Sequence, residues 1–168
     1  DLVGITAKLP YLETLGIDAI YLNPIFSSPS NHRYDTIDYY SVDPRLGGEA
    51  ALVELVEAAH RRSIRVILDV SLNHVHPRFF AFADLLKQGK KSAYRDWFIV
   101  RDWPPRIVVR DQRRVKDWLE VWSEQTDLTV EHVSSAGPPI EPTYESWYSV
   151  PTMPRVDLSH PAARQYML

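Results

Sequence analysis

The sequence predicts an α/β protein in which helices and buried parallel strands alternate and are then interrupted by a long irregular insertion. Three observations predict it. Over residues 1–70 the apolar positions switch between helical spacing and short continuous runs, in the order helix, strand, helix, strand. From about residue 73 to 153 that rhythm breaks, and this stretch holds all five tryptophans. Both strands end in polar side chains, the arrangement expected where ligand-handling groups sit at strand C-termini.

The elements follow in order. Ile5, Leu9, Leu12 and Leu15 fall at helical spacing, and Gly16 is the expected C-cap. Ala19-Ile20-Tyr21-Leu22 is a short apolar run closed by Asn23-Pro24, which reads as a buried strand. A polar loop is expected over residues 26–44, and Gly47-Gly48 marks a turn. Leu52, Leu55, Val56 and Ala59 predict the apolar face of a second helix, with Arg61 and Arg62 at its C-terminus, where cations suit the dipole. Arg65-Val66-Ile67-Leu68-Asp69-Val70 has the pattern of a parallel strand buried on both faces.

Within the insertion, one helix is expected over residues 80–88 and β-like pieces at 97–100 and 106–109. Near the end Ser159 reads as an N-cap with Pro161 in the first turn of a helix that continues to residue 168. Two parallel strands do not make a sheet by themselves, and a (β/α)8 barrel takes about 250 residues. The 168 residues are therefore expected to be a fragment of a larger domain, with strands missing on both sides.

Composition narrows the function. The chain is 45% hydrophobic with a formal net charge of −3, so no nucleic-acid partner is expected. The basic cluster around Arg110, Arg113, Arg114 and Lys116 reads as a solvated loop. No apolar run is long enough to cross a bilayer, so no membrane partner is expected. The chain opens without a recognisable secretory leader, which by itself says little about the compartment; a cytoplasmic setting is expected over a secreted one. The absence of cysteine excludes disulfides, thiolate metal sites and a cysteine nucleophile. Thirteen prolines against six glycines make stiff loops. Aromatics reach 11%, and Trp and Tyr serve both as core residues and as platforms for sugar rings.

Four motifs carry a family resemblance. Asp69-Val70-Ser71-Leu72-Asn73-His74 resembles the first signature of the α-amylase family, an Asp-x-x-x-Asn-His run at the end of the third barrel strand. Asn31-His32-Arg33-Tyr34-Asp35-Thr36-Ile37-Asp38-Tyr39 is similar to the loop after the second strand in the neopullulanase, cyclomaltodextrinase and maltogenic amylase group, with Asn23-Pro24-Ile25-Phe26 just upstream. Val150-Pro151-Thr152-Met153-Pro154-Arg155 resembles the short signature that closes domain B there. The middle of the first signature, Val-Ser-Leu, departs from the commoner bulkier residues; Arg155 stands where Lys is common, and residues 110–124 read as an insertion.

The resemblance implies a partial TIM (β/α)8 barrel, strands 2 and 3 with flanking helices, over residues 1–72. It further implies an irregular domain B over 73–155 and the start of the next barrel helix over 156–168. It implies a retaining hydrolase or transglycosylase of α-1,4 and some α-1,6 glucosidic bonds in starch-type oligosaccharides. Tyr34 would stack on a sugar ring, His74 would hydrogen-bond that sugar's primary hydroxyl, and His32 would line the same pocket. Asn73 would support the strand end, and Asp69 would be structural, pairing with an arginine beyond Leu168. The nucleophile and acid/base are expected beyond Leu168, so no catalytic residue is assigned within the chain and the fragment alone is expected to be inactive. No metal or other cofactor is assigned, although the family allows calcium. An α-glucan oligosaccharide is the expected partner, and the full-length protein is allowed to be a homo-oligomer.

Bland readings stand beside these. Tyr34 read alone is an ordinary packed or surface tyrosine. His74-Val75-His76 mimics a zinc pair but lacks an evident third ligand. Glu57 and His60 mimic half of a di-iron motif on a helix surface. Most of Trp97, Trp103, Trp118, Trp122 and Trp147 are expected to pack the insertion, with sugar platforms among them. Two other functions remain open: a non-catalytic amylase-like domain, as in transporter heavy chains, and a metal-dependent hydrolase barrel.

Overall fold

The computed structural model describes residues 1–111, 113 and 126–168. Residues 114–125, which include Trp118, Trp122 and most of the expected 110–124 insertion, lie outside the described residues. The chain divides into two compact units, Asp1–Ser71 and Leu72–Leu168. Among the described residues no helix is long and apolar enough to cross a membrane.

In the first unit, helix α1 (Leu2–Thr14) starts three residues before the periodic face begins, because the Asp1 carboxylate accepts a hydrogen bond from the Gly4 amide at 2.7 Å. Leu2 and Leu9 are buried on its inner face. Leu15 is the C-cap and Gly16 follows with φ +75°. Helix α2 (Gly48–His60) buries Ala51, Leu55, Ala58 and Ala59 and packs on α1. Removing a side chain such as Leu55 from water is worth about 2 kcal/mol.

Strand β1 (Ala19–Leu22) pairs in parallel with the later strand Arg65–Leu68, with Ala19 opposite Arg65 and Leu22 opposite Leu68. Ile20, Leu22 and Val66 face the core formed by α1 and α2. The alternate positions do not: Tyr21 is 64% and Ile67 47% exposed. Within this unit the helices cover one face of the strand pair, which leaves these alternate positions open. The expected polar loop 26–44 also contains two strands, β2 (Phe26–Ser27) and β3 (Asp38–Val42), paired antiparallel across a register shift. Counting in chain order, Arg65–Leu68 is β4.

The second unit contains helix α3 (Phe80–Gln88) and a three-stranded sheet. Its central strand β5 (Arg106–Val109) pairs in parallel with β6 (Thr129–His132) and antiparallel with β7 (Ile140–Pro142). Its core is aromatic. Phe82 sits edge-on to Phe98 at 4.9 Å and to Tyr144 at 5.0 Å, and the buried Tyr144 hydroxyl donates to the Pro151 carbonyl at 2.6 Å. Burial pushes that phenol's pKa up.

Two sequence expectations shift here. Residues 97–100 form no strand: Trp97 ends a 3-10 turn, while Phe98 and Val100 each make one isolated bridge, to Val156 and Tyr144. Helix α4 (Pro161–Met167) is capped by His160, whose ring Nδ1 accepts from the Ala163 amide, rather than by Ser159. The Ser159 hydroxyl instead donates to the Asp157 carboxylate at 2.6 Å, which holds that carboxyl below its ordinary value.

Candidate functional site

Strand β4 stops at Leu68, and Asp69 is the first residue beyond it, its amide bonded to the Leu22 carbonyl at 2.9 Å. The Asp69 carboxylate thus lies at a strand C-terminus, where barrel-type folds place their working groups. It accepts a hydrogen bond from the Tyr34 hydroxyl at 2.6 Å. That bond, then burial, pushes the Tyr34 phenol above its ordinary pKa. Tyr21 shares the same carboxylate; burial first and the Asp69 hydrogen bond second push its phenol up too. Tyr34 is also held through its backbone, since the Ser71 hydroxyl donates to its carbonyl at 2.6 Å. The Tyr39 hydroxyl in turn donates to the Ser71 carbonyl at 2.5 Å. Tyr21, Ser71 and Tyr39 were not singled out from the sequence. Only the period of two along β1, which sends Tyr21 opposite to Ile20 and Leu22, hinted at the first.

The loop carrying Tyr34 is built on a buried carboxylate. Asp35, 5% exposed, accepts from the Ser28 hydroxyl at 2.7 Å and from the Ser30 hydroxyl. His32 turns its Nδ1 inward, where it accepts from the Tyr34 amide at 3.2 Å and stands 3.2 Å from the Ser30 hydroxyl. A neutral His32 therefore carries its proton on Nε2. Its ring stacks on Tyr34 with centroids 6.0 Å apart and planes 26° from parallel. Arg33 takes the left-handed backbone (φ +59°) and donates through Nε to Asp43 at 3.0 Å. Asp43 also accepts from the guanidinium and the amide of Arg45. These bonds, the Arg45 side-chain bond foremost, lower the Asp43 carboxyl from 3.8 to about 2 against the opposing effect of burial. The Arg45 guanidinium also donates to the Ser28 carbonyl, closing the loop.

Asn73 and His74 form a separate group in the second unit. The Asn73 side-chain oxygen lies 2.7 Å from Nδ1 of His74, and His74 is 3% exposed. Its backbone bridges to Arg155, and the Asn73 carbonyl accepts from the Val156 amide at 3.0 Å, which knits the first signature to the one ending at Arg155. The His74 ring stacks on Trp147 at 5.4 Å and 24°. His76 Nδ1 accepts from the Arg78 amide at 3.1 Å, a turn-forming use of the ring. Among the described residues no group of three His, Cys, Asp or Glu is arranged to hold a metal ion. Glu57 faces Arg61 across an exposed 3.8 Å ion pair, as surface residues of α2 do.

The two groups therefore bring Tyr34, His32 and Asp69 together in one unit and Asn73 with His74 in the other. Chemically they offer what a neutral, hydroxyl-rich ligand needs: aromatic planes, imidazoles fixed by neighbours, and a carboxylate that accepts from hydroxyls.

Comparison with known proteins identifies the family. Residues 1–137 match the family described as alpha amylase, catalytic domain. Neopullulanase 2 of Thermoactinomyces vulgaris is 51% identical over 104 residues, covering 62% of this chain and 18% of that protein. A cyclomaltodextrinase of Geobacillus thermopakistaniensis is 38% identical over 168 residues, covering 100% of this chain and 23% of that protein. The acarbose-soaked crystal structure of the Nostoc punctiforme debranching enzyme superposes with a TM-score of 0.76 at 37% identity, covering 99% of this chain and 30% of that one. The chain thus spans between 18% and 30% of the length of these relatives. The first-signature residues, the Tyr34 loop and these matches together place the chain in the α-amylase family, among relatives of the neopullulanase and cyclomaltodextrinase type.

Proposed function

We propose that the chain is part of a retaining α-glucan hydrolase or transglycosylase acting on α-1,4, and in some substrates α-1,6, glucosidic bonds of starch-type oligosaccharides. In this reading β1 and β4 are strands 2 and 3 of a (β/α)8 barrel, and residues 73–155 are the domain B that interrupts it. The supporting observation is Tyr34, an aromatic ring beside a strand C-terminus whose hydroxyl is fixed by Asp69 at 2.6 Å. A sugar ring packs its C–H face on such a plane, and a ring already held in place loses little entropy on binding. His32, stacked on Tyr34, is assigned to the same pocket. His74, buried and oriented by Asn73, is assigned to a sugar hydroxyl. Retaining chemistry further requires a nucleophilic carboxylate and an acid/base about 5–5.5 Å apart. Both are assigned to the part of the relatives' length that this chain does not span.

The test is reducing-sugar release from cyclodextrin, pullulan and soluble starch by the complete protein, with Tyr34→Ala and Tyr34→Phe alongside. Losing the aromatic platform forfeits about 2–3 kcal/mol, so Tyr34→Ala lowers kcat/KM by roughly 30- to 150-fold. Tyr34→Phe keeps the plane and loses its fixing bond, a drop of roughly 5- to 10-fold. The 168-residue chain alone is expected to release nothing. The reading fails if the complete protein acts on none of the three substrates, or if Tyr34→Ala matches the wild type.

A further inference from the structure

Tyr34 is held at three points. Its hydroxyl donates to Asp69 at 2.6 Å, its carbonyl accepts from the Ser71 hydroxyl at 2.6 Å, and its amide donates to Nδ1 of His32 at 3.2 Å. The first two anchors come from residues just beyond the end of β4. The third comes from two residues back in the same loop, and it alone rests on an imidazole. Imidazole changes charge between about pH 5 and 8, and a protonated ring carries N–H on both nitrogens and accepts nothing. The His32 side chain is 51% exposed, so it exchanges protons with solvent.

The surroundings of Nδ1 supply a second arrangement. Ser30 Oγ stands 3.2 Å from it. The Ser30 hydroxyl gives its one proton to the buried Asp35 carboxylate and accepts from the Arg33 amide at 3.1 Å. Ser30 Oγ and the neutral Nδ1 therefore stand together as two acceptors with no proton to share. A proton on Nδ1 fills that contact and completes a chain from His32 through Ser30 to Asp35, whose carboxylate oxygen is 3.8 Å from Nδ1. The same proton sets one donor against another at the Tyr34 amide and breaks the third anchor. The other charged and titratable groups of the loop, among the described residues, are engaged. The Tyr34 phenol, pushed above its ordinary pKa, keeps its proton across this range and gives it to Asp69. The Arg33 and Arg45 guanidiniums both donate to Asp43, at the end of β3.

We propose that His32 is a positioning residue and a pH-sensitive latch for Tyr34: the neutral ring holds the Tyr34 amide, and the protonated ring releases it in favour of Ser30 and Asp35. This inference rests on the α-glucan reading above, in which Tyr34 is the sugar platform, and adds regulation of that platform by pH. The Asp69 and Ser71 anchors persist, so protonation loosens Tyr34 without removing it, and binding weakens rather than vanishes.

The test uses the complete protein and His32→Asn. Asparagine does not titrate, and its side-chain oxygen accepts the amide two residues on, as in Asx turns. KM and kcat are measured from about pH 7.5 to about pH 5.5 on whichever of the three α-glucans above is turned over fastest. Wild-type KM is expected to rise roughly 3- to 5-fold as pH falls, the loss of one hydrogen bond's worth of positioning. In His32→Asn, KM is expected to change less than about 1.5-fold over that range, while kcat varies with pH alike in both proteins. Hydrogen–deuterium exchange across residues 32–36, corrected for the intrinsic effect of pH on exchange, reads the latch without substrate: protection at Tyr34 falls in the wild type and holds in His32→Asn. A wild-type KM flat with pH, an equal rise in His32→Asn, or unchanged protection at Tyr34 overturns the proposal. Inactivity on every α-glucan instead removes the functional reading, and the exchange measurement still decides whether the latch exists.

Discussion

Replacing Asp43 by asparagine tests whether the loop carrying His32 and Tyr34 is held by charge. Asp43 is nearly isosteric with Asn, and its side chain is 4% exposed. It accepts from Arg33 at 3.0 Å and from the Arg45 guanidinium at 2.6 Å. The fall of its pKa from 3.8 to about 2 corresponds to about 2 kcal/mol of folding free energy, at ~1.4 kcal/mol per pH unit. Removing one partner of a fully buried pair costs about 3–5 kcal/mol, but Arg45 is 53% exposed and turns to water, and the asparagine side-chain oxygen still accepts from the more buried Arg33, so the lower figure applies. Because the folded-state value lies below the unfolded one, the contribution is complete above pH 3.8 and is lost as pH falls through about 2. Urea unfolding of wild type and Asp43→Asn from pH 7 to pH 2 measures it. The variant is expected to be about 2 kcal/mol less stable at pH 7, with the gap closing toward pH 2. Parallel stability curves, or a variant as stable as wild type at pH 7, refute the assignment of that energy to the carboxylate.

Two further substitutions probe the packing of each unit. Phe82→Ala removes a fully buried ring from between Phe98 and Tyr144 and is expected to cost about 3–5 kcal/mol, read as a lower urea midpoint with an unchanged slope. Gly47→Ala places a Cβ 2.7 Å from the Ala51 Cβ at φ +106°, so it is expected to lose about 1–3 kcal/mol and to lower the melting temperature; a neutral result contradicts the tight entry to α2.

Periodicity made the first unit legible as far as one covered face allows. The apolar spacing of α2 and the runs of β1 and β4 appear in the structure within a residue or two. A continuous apolar run, however, does not say which of its faces will be covered, and Tyr21 and Ile67 lie on the face that α1 and α2 leave open. The β2–β3 pair was hidden for a different reason. It is short and broken by a register shift, and the residues between its strands are organised by the Asp35 and Asp43 carboxylates, which carry no period. Residues 97–100 show the converse. Their β-branched and aromatic content suits a strand, but strand formation needs a continuous neighbour, and only single bridges meet Phe98 and Val100.

For the candidate site, the motifs named the residues and the fold supplied the reasons they hold still. Tyr34 and Asp69 were legible separately, one in a polar loop and one at a strand end, but nothing in their spacing announces the 2.6 Å bond between them. The same limit applies to the tryptophans, which composition cannot sort. Trp97 and Trp147 are identical side chains, and their environments divide them. Trp97 meets Phe80, Tyr94 and Tyr166 and is spent on the core, whereas Trp147 has His74 on one face and a solvent-facing Tyr148 at its edge. A rigid support on one side together with exposure on the other is what separates Trp147 from Trp97. Both depend on contacts distant in sequence: the residue that supports Trp147 is His74, which belongs to the first signature.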